Sequence, residues 1–505
     1  MRNSAVCLLE AAYKLRPNGD AIEDETGCLT YAQLRDGARR AAAGLLHSCE
    51  SAAPVMIYLP KSAQMVQGFY ASLYAGRAYV PTDSAAPKAR LERILANLRP
   101  SAVITNEKLA STLDGLDLGG AKVLMMDKLL QAEPDEAAVD KALSAVNDAD
   151  PVYIMYTSGS TGEPKGVTIP HRGVMNFVDW ACETFRWDET TVIANQAPLY
   201  FDVSVMDVYG ALRCAGKLIL TPEVLFRFPL KLPEFLRDKD VTSIYWVPTV
   251  MIRVANSGAL DEVEMPKLRT VCFAGEVMPN LQLNIWRRAL PECSFANLYG
   301  PTETDVCTAY LVDRPFADQE PLPIGTALPN LRVVLVDENG TVSNEGEICV
   351  SGSGILLGYR GKPELTERAT LWLEHTPGCP ERYYRTGDLG RWNERGELMF
   401  LGRKDGQIKL RGNRIELGEV ENAARMIEGV KNVCALYDSA AQEIVLFAET
   451  DREFAERAFL RQMRKYIPAY MIPARAVFCD ALPHNANDKI DRAALKRSLE
   501  EQHHG

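Results

Sequence analysis

Apolar residues recur at helical spacing over residues 4–14 and again from 32 to about 46, where Thr30 stands in front as a capping residue. Short apolar runs at 55–59, 78–81, 102–105 and 152–156 lack that spacing and read as strands, the first followed by a helical pattern up to Tyr74. Strands that alternate with helices predict parallel sheets and an α/β architecture. The alternation continues through strands at 191–193, 217–221, 243–247 and 268–273. After about Leu322 the texture changes. Short alternating strands at 331–336, 346–350 and 397–400, set between Gly and Pro turns, predict a β-rich subdomain over about 322–403. The clearest boundary lies at 402–406. Beyond it, residues 419–426, 433–437, 443–448 and 454–466 carry helix and strand patterns of their own. The expected organisation is a large N-terminal core of two parallel-rich sheets with helices, residues 1–403, and a small mobile α+β domain, 404–505.

Composition narrows the function. A chain of 505 residues is too long for one core. Its net charge of −11 argues against broad nucleic-acid or anionic-membrane binding. The twelve cysteines include no C-x-x-C pair and predict reduced, buried thiols in a cytoplasmic protein, not disulfides or zinc. No signal segment or membrane-spanning apolar run is present, so neither a nucleic acid nor a membrane is expected as a partner.

Five stretches carry chemistry. Strand 152–156 runs into Thr157-Ser158-Gly159-Ser160-Thr161-Gly162-Glu163-Pro164-Lys165-Gly166, whose glycines, hydroxyls and lysine suit an anion. It is not a Walker loop, because Glu163 and Pro164 separate Gly162 from Lys165. Asn297-Leu298-Tyr299-Gly300-Pro301-Thr302-Glu303-Thr304 offers a flat ring, a turn, and oxygens suited to phosphate and Mg²⁺, although it also fits a capped helix start. Tyr384–Leu389 presents Asp388 after a glycine, either as an acceptor for two ribose hydroxyls or as an Asx turn. Residues 402–414 are dense in cations and glycines, as a hinge beside a phosphate-bearing ligand would be. Asn487-Asp488-Lys489 by itself reads as a solvated turn.

Taken in order, these stretches resemble the adenylate-forming superfamily of acyl-CoA synthetases, luciferases and adenylation domains of non-ribosomal peptide synthetases. The resemblance runs from Leu29 to Lys489. It implies an ATP-dependent, AMP-forming ligase. A carboxylate attacks the α-phosphate of ATP, and a phosphopantetheine thiol then takes the acyl group from AMP. It also implies roles for individual residues. Thr157, Ser158, Gly159, Ser160, Thr161, Gly162 and Lys165 would cradle the leaving pyrophosphate. Tyr299 would stack on adenine, with Asn297, Leu298, Gly300 and Phe400 around it, and Asp388 and Arg403 would hold the ribose. Thr302 and Glu303 would serve catalysis, with Glu303 as the Mg²⁺ ligand. Lys489 would bridge the substrate carboxylate and the α-phosphate, and Asp405 would be the hinge.

The segment Phe201-Asp202-Val203-Ser204-Val205-Met206-Asp207 resembles amino-acid-activating members, in which an aspartate at the place of Asp202 pairs with the substrate ammonium. A buried ammonium demands such a partner. Asp202 as a plain helix cap is the structural alternative. By the same resemblance Val203, Met206, Tyr245, Cys272, Ala274, Leu298, Val306 and Cys307 line the rest of the pocket. This lining is apolar apart from one phenol and shows no second charge, so a small or medium uncharged amino acid is expected. No carrier domain follows Lys489, so the expected partner is a separate phosphopantetheinylated carrier protein, unless the sequence is a domain excised from a longer chain, and the enzyme is expected to be a monomer. A non-ribosomal peptide type of adenylation enzyme is the favoured subfamily. The alternatives are a D-alanine–carrier protein ligase of teichoic acid modification, an acyl-CoA ligase, or a non-catalytic adenylation fold. Three residues depart from the pattern: Ala274, where D-alanine ligases typically carry cysteine, Asp488 beside the lysine, and Asn413, where relatives often carry an aromatic.

Overall fold

The computed structural model describes residues 3–159, 163–404, 407–479, 481–483 and 490–504, the side chains of 493 and 500–504 excepted. Thr30 illustrates how local sequence starts an element. It ends the Gly27–Thr30 strand, and its hydroxyl accepts from the Gln33 N–H while the Gln33 side chain accepts from the Thr30 N–H. This capping box opens the Tyr31–Ser48 helix, whose face of Leu34, Ala38, Ala41, Ala42 and Leu45 is buried. Thr30→Ala removes the cap and is expected to cost about 1 kcal/mol, read as a lower urea midpoint with unchanged activity.

The chain divides into two units. The first comprises Met1–Ser84, Asn97–Tyr156 and Gly166–Lys404. Among the described residues its strands form a seven-stranded, a nine-stranded and a six-stranded sheet. The centre of the seven-stranded sheet is parallel: Val55–Ile57 pairs with Tyr79–Pro81 and with Ala102–Thr105. The centre of the nine-stranded sheet is parallel too, running Lys217–Leu220, Val192–Asn195, Ser243–Trp246, Thr270–Ala274, Ser294–Tyr299. These strands are buried apolar runs, as expected of parallel strands covered on both faces. Antiparallel Thr308–Leu311 closes one side. The six-stranded sheet is antiparallel in its described pairings and contains Leu331–Val336, Glu345–Gly352, Cys379–Trp392 and Leu398–Arg403. Both expectations for this part of the chain are met: parallel α/β first, then β-rich.

The second unit comprises Ala85–Ala96, Thr157–Lys165 and Asp405–Gly505. Its core packs the helices Leu417–Arg425 and Glu456–Met463 on a sheet of Val430–Asp438, Glu443–Thr450 and Arg475–Cys479. The strands Gln407–Leu410 and Asn413–Glu416 form a hairpin. Its two turn residues, Arg411 and Gly412, both have positive φ, 53° and 76°, as a tight hairpin turn requires. Asn413 explains its own departure from the aromatic pattern: its amide donates to the carbonyls of Leu410 and Arg411 and closes that turn.

Candidate active site

The strand register sets four of the expected substrate-pocket residues on one sheet face. Tyr245 lies opposite Cys272, Cys272 opposite Ala296, and Ala274 opposite Leu298. Cross-strand neighbours point to the same face, so Tyr245, Cys272, Ala274 and Leu298 form one surface near the carboxyl ends of parallel strands. That is where open α/β sheets bind ligands. Val203 packs against the core cluster that contains Met206, Tyr245, Cys272, Ala274, Leu298 and Val306. Cys307 is also fully buried. Cys307 belongs instead to a separate buried cluster, with Tyr299 and Leu335.

Asp202 is the N-cap of the Val203–Cys214 helix, with Oδ1 accepting from the Val203 N–H at 2.8 Å. The structural alternative is thus realised, and it fixes the carboxylate at a helix N-terminus, half-buried and within electrostatic reach of the Tyr245 phenol.

Gly300 shapes the next part. A Cβ on it would meet the Asp305 carbonyl oxygen at 1.7 Å, so only glycine allows the chain to fold back. The Cys307 N–H then donates to the Tyr299 carbonyl at 2.8 Å and returns the chain into Thr308–Leu311. The turn buries Thr302, Glu303, Thr304 and Asp305. Glu303 is fully buried, and its carboxylate accepts from the Tyr359 hydroxyl at 2.7 Å. Tyr359 lies 3.4 Å from the Tyr384 hydroxyl. The capped-helix reading of this stretch fails, because residues 300–307 form no helix.

Tyr299, Asp388 and Arg403, separate in the sequence, meet in one cluster. The Tyr299 hydroxyl donates to Asp388 Oδ2 at 2.6 Å, and Arg403 Nη1 donates to Asp388 Oδ1 at 2.6 Å. Asp388 and Arg403 face each other across paired strands. Burial, with Asp388 alongside, pushes the Tyr299 phenol well above its usual range, so it stays a donor. Phe400 lies beside Tyr299, ring centroids 6.3 Å apart. Asn297 spends its amide on the Pro323 carbonyl, 2.8 Å away, and so anchors the strand. Tyr299→Phe should weaken ATP several-fold, for the loss of about 1 kcal/mol of hydrogen bonding to a carboxylate. The check is a higher KM for ATP at unchanged KM for the other substrate.

The phosphate loop belongs to the second unit. Gly159 has no room for a Cβ, which would meet the Glu163 carbonyl oxygen at 2.0 Å. The Thr157 hydroxyl is buried and has no hydrogen-bond partner among the described residues, as a donor set aside for a ligand oxygen would be. Ser158 donates to the Arg414 carbonyl at 2.9 Å, and Lys165 lies 3.6 Å from Glu416. Ser160, Thr161, Gly162, Asp405, Asp488 and Lys489 lie outside the described residues.

Three functional candidates were missed in the sequence. Tyr359 and Asp305 are described above. The third is Asp207, fully buried and pushed up to about 8 by that burial, with the Asn195 amide donating to it at 2.8 Å. Asp305 was visible as an acid within an otherwise apolar continuation of the turn. Tyr359 gave no signal, because nothing in its local pattern marks a partner 56 residues away.

Residues 9–360 match the family described as AMP-binding enzyme. The chain belongs to the AMP-binding enzyme family. It is accordingly an adenylate-forming enzyme that uses ATP. It is 35% identical to an L-proline–[L-prolyl-carrier protein] ligase of Pseudomonas fluorescens, over 96% of this chain and 97% of that one. It is 31% identical to a D-alanine–D-alanyl carrier protein ligase of Bacillus licheniformis, over 96% and 97%. Some family members are far longer. The chain matches a linear gramicidin synthase of Brevibacillus parabrevis at 35% identity over 97% of its own length, and spans 10% of that protein. A Vibrio cholerae adenylation domain in complex with glycyl-adenosine-5'-phosphate shares the fold, with TM-score 0.84, 22% identity, and 99% and 98% of the two chains covered. Among the described residues no helix is long and apolar enough to cross a membrane, and no group of three or more His, Cys, Asp or Glu forms a metal cluster.

Proposed function

We propose that this enzyme activates a small or medium uncharged amino acid as its aminoacyl adenylate and passes it to the phosphopantetheine thiol of a carrier protein. One observation carries the reading: the Asp202 carboxylate, fixed by the helix it caps, lies within electrostatic reach of the Tyr245 phenol, which shares an apolar sheet face with Cys272, Ala274 and Leu298. An ammonium pairs with the first and an uncharged side chain fits the second. An acyl-CoA ligase for a simple acid needs no such acid. The relatives named for L-proline and D-alanine support a carrier-protein ligase for a small amino acid.

In the first step a substrate carboxylate oxygen bonds to the α-phosphorus of ATP, and the bond to pyrophosphate breaks. In the second, the thiol sulfur bonds to the acyl carbon and AMP leaves. Tyr299 and Phe400 hold the adenine, and Asp388 and Arg403 hold the ribose. Thr157, Ser158, Gly159, Ser160, Thr161, Gly162 and Lys165 hold the phosphates, and fixed positioning of this kind supplies much of the catalysis. Glu303, a hard oxygen donor, fits Mg²⁺, which takes few protein ligands and keeps water and phosphate oxygens. When bound, Mg²⁺ shields phosphate charge. Thr302 stands beside that carboxylate in the same turn. Lys489 as the bridging cation, Asp405 as the hinge and 404–505 as the mobile domain rest on their motifs.

The test is amino-acid-dependent pyrophosphate exchange over a panel of L- and D-amino acids. We expect exchange with small uncharged amino acids. A D-alanine optimum selects the teichoic acid type of ligase, whereas an L-amino acid optimum selects the peptide type. Exchange with none, or with simple acids alone, overturns the reading.

A further inference from the structure

Tyr156 and Gly166 flank the phosphate loop, and both belong to the first unit. Tyr156 lies on the strand Pro151–Thr157 that leads into the loop, and Gly166 on the strand Lys165–Pro170 that leaves it. Residues 356–360 run along the second of these strands. The Leu357 N–H donates to the Thr168 carbonyl at 2.8 Å, Tyr359 lies opposite Val167, and the Arg360 N–H donates to the Gly166 carbonyl at 2.8 Å. The same segment reaches Glu303. The Leu356 N–H donates to the Glu303 carbonyl at 2.7 Å, and the Tyr359 hydroxyl anchors the Glu303 carboxylate.

Asn97, also in the first unit, joins the incoming strand to this segment. Its Oδ1 accepts from the Tyr156 hydroxyl at 2.7 Å, and its Nδ2 donates to the Arg360 carbonyl at 3.0 Å. Gly166 closes the arrangement. A Cβ on it would meet the Tyr156 ring at 3.0 Å and the Arg360 Cβ at 3.1 Å, so glycine lets the strands approach. Tyr156, Asn97, Arg360 and Gly166 thus form a ring of contacts at the foot of the loop. The Asn97 amide is used at both ends. Aspartate would lack the donor, alanine would lack both groups, and glutamine would shift both by a methylene. Asn97 and Tyr156 are half-buried, where water can serve either group. Their pairing therefore adds little stability, and what it fixes is position.

We propose that Asn97 is a positioning residue for the ATP phosphates: by tying Tyr156 to Arg360 it fixes both ends of the phosphate loop against the segment that anchors Glu303. This rests on the phosphate-loop reading above. The loop and Glu303 are assigned to the same phosphates, so the spacing between them has to hold while pyrophosphate leaves. A displacement of about 1 Å at a reacting group costs about a hundredfold in rate. The ring acts on the loop through its two ends, without touching the nucleotide. Its loss therefore falls on the phosphates beyond the first and spares adenine and ribose, which are assigned to Tyr299, Asp388 and Arg403.

The test measures ATP and AMP binding by calorimetry in wild type, Tyr156→Phe and Asn97→Ala, with a thermal melt of each. AMP carries the adenine, the ribose and one phosphate, but not the pyrophosphate that the loop is assigned to hold. Tyr156→Phe keeps the ring against Gly166 and removes one hydrogen bond. It should weaken ATP about fivefold and leave AMP within about twofold. Asn97→Ala removes both bonds and should weaken ATP about tenfold or more, again sparing AMP. Combining the two should add less than about twofold to Asn97→Ala, because the partner of the phenol is already gone. Equal weakening of ATP and AMP, or unchanged ATP binding with only a lower melting midpoint, overturns the proposal and leaves Asn97 a structural residue. If Asn97→Ala fails to fold, Tyr156→Phe decides by the same readout. Lys165→Ala separates this proposal from the reading beneath it. If Lys165→Ala weakens ATP and spares AMP while the other two variants do not, this proposal alone falls. If Lys165→Ala leaves the preference for ATP over AMP intact, the phosphate-loop reading falls and takes this proposal with it.

Discussion

Asp202→Ala is expected to lower kcat/KM for the amino acid by about a hundredfold or more. Removing one partner of a buried charge pair costs about 3–5 kcal/mol. Asp202 is half-buried, so the lower end applies, and about 3 kcal/mol corresponds to roughly two decades. The loss should fall on the amino acid and leave KM for ATP unchanged, because Asp202 is assigned to the substrate ammonium, whereas Asp388, held by Tyr299 and Arg403, is assigned to the ribose. The measurement is exchange at varied amino acid and fixed saturating ATP. Undiminished activity with amino acids would refute Asp202 as the ammonium partner. The substitution also removes a cap, for about 1 kcal/mol of stability. A thermal melt separates that effect from the loss of recognition.

Glu303→Gln should depress kcat by about 100- to 1,000-fold, the range for removing one preorganised electrostatic contact to a reacting phosphate. The reason lies in its surroundings. Glu303 is fully buried with Tyr359 donating to it, so an amide in its place keeps a hydrogen-bond acceptor and loses the charge. The fold should therefore persist while the metal contact fails. Tyr359→Phe gives the contrast. It leaves the carboxylate and removes its anchor, and a loss of about tenfold is expected, partly recovered at high Mg²⁺. Equal losses in the two variants would show that Glu303 acts only as structure. Retained kcat in Glu303→Gln would remove it from the metal site.

The sequence was legible where the physics is local. The capping box at Thr30 needs only residues three apart, and the structure forms it as written. Apolar strands that alternate with helical patterns announced the parallel sheets, since strands buried on both faces carry continuous apolar runs. Four of the expected lining residues share a face for a different reason. Tyr245, Cys272, Ala274 and Leu298 sit in spaced motifs, and strand register then puts them on one face.

Tyr359 was not legible. Its role depends on reaching Glu303 across 56 residues of chain, a distance that no local periodicity encodes. Asp305 was visible as a residue and invisible as a site. Residue type alone reads as a turn aspartate, and only the backbone path set by Gly300 buries it beside Tyr153. By itself the sequence determined the elements, their order, the family and the ends of the site, because propensity, capping and motif spacing act over a few residues. The tertiary structure alone decided which side chains share a low-dielectric corner. Burial belongs to the fold, and no local pattern of residues encodes it.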